Sequence, residues 1–230
     1  MPHQFIQTED GSTTLYVPEL NEHYHSVHGA IQESRHIFIR AGIDFYRQTY
    51  PERSGSGKDS LHILEAGFGT GLNAFLTMQY AHGQLCPIFF HSIEKYPLSS
   101  GETDRLNYPG LLPAPVTISF RELHQSPWNE EIRLTPFFRL YKQEADFRDI
   151  NFSATFDIVF FDAFNPDVQP HLWTAEVFER FYKALNPGGI LVTYCVKGIV
   201  KQALRQVGFT LKRLPGPPGK REMLRATKPE

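Results

Sequence analysis

The sequence is poor in cysteine, with two in 230 residues, Cys86 and Cys195. Both sit in apolar surroundings, and neither is paired with a histidine motif at metal-ligand spacing. That excludes a disulfide scaffold and a cysteine-built zinc site, and it leads us to expect reduced thiols in the cytosol and no metal. Long hydrophobic runs are also missing. The longest, Gly189 to Val196, is far too short to cross a bilayer. The amino terminus has no basic segment followed by an apolar one, so a signal peptide is not expected. There is no internal repeat, and the G-x-G-x-x-G fingerprint of dinucleotide-binding enzymes is absent.

What is present is organised around Leu61 to Asn73, L-H-I-L-E-A-G-F-G-T-G-L-N. Leu61, Ile63, Leu64 and Ala66 make an apolar run of strand length. Gly67, Gly69 and Gly71 then give a loop that can turn sharply and lie against a ligand. Leu72 to His82 resumes at helical spacing through Leu72, Phe75, Leu76 and Tyr80. A strand, a glycine turn and a helix start form the ligand-cradling unit of doubly wound α/β folds. Glu65 at the strand end suits a ligand with an ammonium group better than one with a pyrophosphate. The pattern E-x-G-x-G-x-G resembles that of S-adenosylmethionine-dependent methyltransferases.

Charge is unevenly placed. From Lys197 onward nine Lys and Arg stand against two acids, a balance of +7, so the overall −2 leaves −9 for the preceding residues. A basic carboxyl-terminal lobe suggests an anionic partner, nucleic acid first; a solvated surface with a charge bias explains the count equally well.

Gln4 to Gln7 and Thr13 to Val17 read as a hairpin about Asp10-Gly11. The crowded histidines and tyrosine of Asn21 to Ala30 match no metal-ligand set and read as a pocket-lining loop. Glu33 to Tyr50 has helical spacing, and Pro51 to Ser60 is a connector. Pro87 to Glu94 is a second strand, whose terminal Glu94 is placed to accept hydrogen bonds from ribose hydroxyls. A helix is expected from Leu98 to Asn107. Pro109 to Pro136 reads as an insertion, with short strands at Val116 to Phe120 and Ile132 to Leu134. Phe137 to Lys142 is the next strand, followed by Glu144 and Asp146, either of which suits an adenine contact. Phe156 to Asp162 is a buried strand ending in a carboxylate, where parallel sheets put their chemistry; Asp162 is the candidate catalytic residue. Phe164, Asn165 and Pro166 continue into a loop that can approach a substrate. Trp173 to Leu185 is amphipathic and stopped by Asn186-Pro187-Gly188-Gly189, and Trp173 is open to two readings, base stacking or core. Gly189 to Cys195, Lys197 to Val207, Phe209 to Leu214 and Glu222 to Thr227 complete a strand, a helix and a closing hairpin.

Several motifs, in order along nearly the whole chain, resemble the methyltransferase part of the bacterial MnmC enzymes. They are G-A-I-Q-E-S-R-H-I-F-I (Gly29 to Ile39), E-A-G-F-G-T-G-L-N (Glu65 to Asn73), I-E-K-Y-P-L (Ile93 to Leu98), F-F-D-A-F-N-P (Phe160 to Pro166) with Trp173, N-P-G-G (Asn186 to Gly189) and G-F-T-L-K-R-L-P-G-P-P-G-K-R-E-M-L (Gly208 to Leu224). The resemblance implies a Rossmann-like class I fold: a doubly wound, mostly parallel sheet with a carboxyl-terminal antiparallel hairpin and a small amino-terminal β-hairpin. Residues 1–60 would pack on a core formed by 61–230. It implies S-adenosyl-L-methionine as cofactor and 5-aminomethyl-(2-thio)uridine at the tRNA wobble position as substrate. The anticodon region and the enzymes that install the aminomethyl group are the expected partners. Bifunctional members carry a flavin-dependent oxidase domain after the methyltransferase; this sequence stops at Glu230 and reads as the stand-alone form. On this reading Glu65, Gly67, Gly69, Gly71, Asn73, Glu94 and Glu144 hold the cofactor, and Tyr24, Gly29 and Glu33 close the pocket. Lys197, Lys220 and Arg221 belong to the tRNA-facing lobe. The rival readings are a methyltransferase for a small-molecule or protein amine, a non-catalytic nucleotide-binding module, and, third, an oxidoreductase.

Overall fold

A computed structural model describes residues 2–53, 60–112, 119–152 and 155–230. Strands β1 (Gln4–Gln7) and β2 (Thr13–Val17) form the expected hairpin, and β3 (Glu22–His23) adds a third antiparallel strand. The long amino-terminal helix is unbroken but changes pitch. It runs as α1 (Ala30–Ser34), a π-helical stretch (Arg35–Asp44) and α2 (Phe45–Thr49). Next come β4 (Leu61–Ala66), α3 (Leu72–Gly83) and β5 (Ile88–Glu94), then the short helices α4 (Ser100–Thr103), α5 (Tyr108–Leu111) and α6 (Phe120–Gln125). Strands β6 (Glu131–Thr135), β7 (Phe138–Glu144) and β8 (Phe156–Phe161) precede α7 (Ala175–Ala184), β9 (Leu185–Thr193) and α8 (Gly198–Gln206). The closing hairpin is β10 (Thr210–Pro215) with β11 (Glu222–Thr227).

The main sheet runs β10-β11-β9-β8-β4-β5-β7-β6. Strands β9, β8, β4, β5 and β7 are parallel, while β6, β11 and β10 run against their neighbours. Side chains alternate between two apolar layers. Ile63, Phe90, Phe138 and Phe160 pack with α1 to α3, whereas Leu64, Ile93, Val159 and Phe161 pack with α7 and α8. Both faces are therefore covered, as a parallel sheet requires. Chain direction reverses between β4, which leads out to β5, and β8, which leads out to β9. A crevice opens at the carboxyl ends of strands at such a point.

Three local readings change. The helix expected from Leu98 to Asn107 is confined to Ser100–Thr103, opened by a capping box of Ser99 and Glu102. The chain then turns so that Asn107 can bond Thr13 N and Gly11 O of the amino-terminal hairpin, at 2.8 Å each. The strand expected at Val116 to Phe120 lies outside the described residues up to 118, and Phe120 instead opens α6, capped by Ser119 and Glu122. Strand β9 begins at Leu185, so Asn186 to Gly189 is an irregular strand start against β8 rather than a loop.

Helix α6 is held by a buried lysine. Lys142 Nζ donates to the carbonyls of Leu123 and His124, the open end of α6, and burial lowers its pKa to about 8. His124 in turn meets the carbonyl of Thr70, which seats α6 against the glycine loop. At the far end of α3, Gly83 has nothing within 4 Å of where a Cβ would sit. Gly83→Ala should raise stability by about 0.5–1 kcal/mol, which thermal melts would register as a rise of roughly 1–4 °C.

Candidate active site

The strand β4 ends where its glycine loop must pass the end of β8. Gly67 has φ +96°, and a Cβ there would lie 2.9 Å from the carbonyl oxygen of Asp162. Only a residue without a side chain lets the two segments approach so closely. Gly69 and Gly71 are also left-handed, and α3 starts straight from Gly71 with no side-chain cap. Above this loop opens a cavity of about 650 Å³.

Of the sequence candidates, Gly67, Gly69, Asn73, Glu94, Asp162, Tyr24, Glu33, Phe164, Asn165 and Lys220 line that cavity. Asp162 follows β8 directly. Asn73 Nδ2 donates to its Oδ2 at 2.9 Å. Burial pushes its pKa up to about 7, helped by the negative charge of Glu33 and opposed by the Asn73 bond and Lys220. Glu94 accepts Gly69 N at 3.0 Å through Oε2 and Tyr96 N at 2.8 Å through Oε1. Each oxygen keeps lone-pair capacity for a hydroxyl. Tyr24 and Phe164 meet edge to face with centroids 4.9 Å apart, roofing one side.

Other candidates lie elsewhere. Glu144 is the last residue of β7 and exposed; Asp146, after the turn, lines the cavity instead. Arg148 and Lys95 hold the Asp146 carboxyl well below the usual range, through the Arg148 hydrogen bonds first. Glu65 is fully buried beneath the loop rather than facing the cavity. Gly71 lies under the loop against His124, and Gly29 caps α1 beside Asp10. Pro166 is buried off the cavity wall. Trp173 is 3% exposed, packs on Phe161, Phe178 and Tyr194, and donates from Nε1 to Phe164 O. It supports the 164–166 loop from below and offers no stacking face. Lys197 pairs with Asp167 away from the cavity, and Arg221 is exposed. Lys220 folds inward onto Glu33 and stands 4.2 Å from the Tyr194 ring centroid.

The loop expected to line a pocket does so through His23, Tyr24, His25 and His28, whereas Tyr194 and Arg148 are cavity residues that the sequence reading did not single out. For Tyr194 the clue was available, because it follows β9 at the carboxyl edge of the sheet. Its hydroxyl donates to Ala163 O at 2.9 Å. His25 bonds Thr70, and burial lowers its pKa to about 4, so it is neutral at pH 7.

These groups fit S-adenosylmethionine. The cavity offers the Asp162 carboxyl and Glu94 with lone pairs left for ribose hydroxyls, while Glu33 is already paired with Lys220. Asp146 also lines the cavity, with both oxygens engaged by Arg148 and Lys95. Glu94→Ala should weaken cofactor binding about 10- to 100-fold, since it removes both the hydroxyl acceptor and the anchor of Gly69 N; calorimetric titration with S-adenosylhomocysteine would test this.

The family described as S-adenosyl-L-methionine-dependent methyltransferase matches residues 122–229. The tRNA 5-methylaminomethyl-2-thiouridine biosynthesis bifunctional protein MnmC of Polaromonas sp. (strain JS666) is 30% identical over 97% of this chain and 36% of its own length. The protein of that name from Nitrosospira multiformis is 30% identical over 94% of this chain and 35% of its own. The chain thus spans about a third of the length of these curated relatives. The crystal structure of MnmC2 from Aquifex aeolicus superposes with a TM-score of 0.75 at 25% identity, covering all of this chain and 72% of that one. Over nearly its whole length the chain is MnmC-like, and its fold is that of the class I S-adenosyl-L-methionine-dependent methyltransferases.

Proposed function

We propose that the protein N-methylates the 5-aminomethyl group of a wobble (2-thio)uridine in tRNA, giving 5-methylaminomethyl-uridine. The observation that carries this reading is Asp162: a carboxylate at the sheet's switch point, open to the cavity, with a pKa near 7. When bound, S-adenosylmethionine supplies an electrophilic methyl group, so the protein needs no nucleophile of its own. What it needs is to place a neutral amine in line and keep water away.

Asp162 meets that need in two ways. Asn73 engages Oδ2, which leaves Oδ1 to accept a hydrogen bond from the amine and orient its lone pair. A carboxylate with a pKa near 7 is also a far better match for an ammonium proton than an ordinary one. Tyr24 and Phe164 cover the site with aromatic surface, and the neutral His25 adds no competing positive charge.

The tRNA substrate draws support from the MnmC relatives and from exposed Lys212, Arg205 and Arg221 on the carboxyl-terminal lobe. A second reading, a small-molecule or protein amine, is favoured by the pairing of Lys197, Arg213 and Lys220 with acids, which lowers the lobe's effective charge. Among the described residues no helix is long and apolar enough to cross a membrane.

The test is transfer of labelled methyl from S-adenosylmethionine to bulk tRNA from cells lacking the modification, with nucleoside analysis. Label in 5-methylaminomethyl-uridine supports the reading. Cofactor binding with no labelled tRNA moves the search to other amines. If the lobe makes about four phosphate contacts, a fourfold rise in salt should weaken tRNA binding roughly 100-fold.

A further inference from the structure

Beneath the cavity floor, four polar side chains connect β5, β4, α3 and the end of β8. Ser92 Oγ donates to Glu65 Oε2 at 2.5 Å, and Asn73 Nδ2 donates to Asp162 Oδ2 at 2.9 Å. Between these two bonds, Glu65 Oε1 and Asn73 Oδ1 are buried without a partner. Asn73 comes within hydrogen-bonding reach of the Glu65 carboxyl, a contact that by itself lowers the Glu65 pKa. Each of these acceptors, left unpaired in a dry interior, costs about 1–3 kcal/mol. A single proton between them satisfies both.

We propose that Glu65 is a neutral carboxylic acid that donates its proton to Asn73 Oδ1 and so fixes the amide that holds Asp162. Glu65 is the group to carry it, because it is fully buried whereas Asp162 opens onto the cavity. The charged groups around it point the same way. Burial first holds its pKa well above the carboxylate range, the negative charges of Asp162 and Glu94 add to that, hydrogen bonds from Ser92 and Asn73 oppose it, and no cation is among the causes. Glu65 is thus a positioning residue acting through Asn73, and the ammonium of the cofactor has no ionised Glu65 to meet. Turning the Asn73 amide over gives the opposite arrangement, with Glu65 ionised and the proton on Asp162. The protonation of Glu65 stands on its surroundings alone; its effect on turnover rests on the proposed methyl transfer.

The two arrangements give opposite signs in one experiment. If Glu65 is neutral, Glu65→Gln preserves both bonds: turnover stays within about threefold and the acid limb of the pH–rate profile does not move. Glu65→Ala frees Asn73, Asp162 loses its donor, and the limb moves to higher pH with turnover at pH 7 down about five- to tenfold. If Glu65 is ionised, Glu65→Gln deletes a negative charge beside Asp162 and moves the limb to lower pH, which overturns the proposal. A tenfold loss of S-adenosylhomocysteine affinity in Glu65→Gln overturns it as well. The infrared spectrum needs no turnover. A carboxylic-acid C=O band at pH 7 that disappears in Glu65→Gln supports the assignment, and its absence from the wild type refutes it. Should Glu65→Ala fail to fold, the Gln variant and the infrared band decide. A wild type that transfers no methyl group would sink the proposed function and leave the infrared result standing.

Discussion

Asp162→Ala is expected to lower methyl transfer about 10²- to 10⁴-fold, while S-adenosylmethionine affinity stays within about threefold. The asymmetry follows from position. On the proposed reading Asp162 faces the space where the amine sits, whereas the cofactor is held mainly by the glycine loop and Glu94. The pH dependence of the wild type should show the same group. Activity needs the ionised carboxylate, and its pKa lies near 7, so the rate should fall about tenfold per pH unit below that value and level off above it. The stability consequence has the opposite direction. Asp162 keeps its proton in the folded chain up to about 7 but loses it at 3.8 when unfolded. Its favourable share is therefore complete below 3.8 and gone once pH has passed 7. Asp162→Asn, which cannot ionise, should be more stable than the wild type by about 1–3 kcal/mol at pH 8 and equal to it at acid pH. An Asp162→Ala enzyme with near-normal turnover would remove this residue from the chemistry. Equal melting temperatures for Asp162→Asn and wild type at pH 8 would show that the carboxylate is not held in a costly place.

The strand, glycine turn and helix of residues 61–82 were legible because their signals are local: an apolar run, glycines in alternation, then helical spacing. Asp162 and Glu94 were legible because a parallel sheet collects its chemistry at carboxyl strand ends. What escaped depends on parity or on distant contacts. Glu65 shares the face of β4 with Ile63, which packs under α3. That alternation carries it beneath Asn73 and away from the cavity. Glu144 and Asp146 could not be told apart, because the choice turns on β7 ending at Glu144 and the chain then bending, with Asp149 N bonded to Asp146 O. For Trp173 the core reading holds and the stacking one does not: α7 starts from Thr174, whose side chain caps Val177 N, and the indole tucks into the core before it. Lys220 counted as surface charge until the fold set it against Glu33, 187 positions away. Composition cannot register such a pair.

Gly67→Ala should do what Asp162→Ala does not, and weaken cofactor binding together with stability. The backbone at 67 is left-handed, with φ +96°, which costs a residue bearing a Cβ about 1–2 kcal/mol. The added methyl would also stand 2.9 Å from Asp162 O and 3.5 Å from Asp162 C, and neither can swing aside as a side chain would. Asp162 N is bonded to Ala66 O at 3.1 Å, and Gly67 N and Phe68 N both reach Ile93 O, at 3.0 and 3.2 Å. Relief therefore means shifting β4 against β8 or lifting the loop off β5, at a further cost of about 1–3 kcal/mol. The sum predicts a melting temperature lower by roughly 5–15 °C. Either movement also displaces Asp162 and the Glu94-bound Gly69, so S-adenosylhomocysteine affinity should fall more than about tenfold even in the fraction that folds. Gly83→Ala is the matched control, the same change on the same helix unit in open space, with the opposite sign. A Gly67→Ala protein that melts with the wild type and binds the cofactor normally would mean that the closeness of the loop to β8 is not what builds the site.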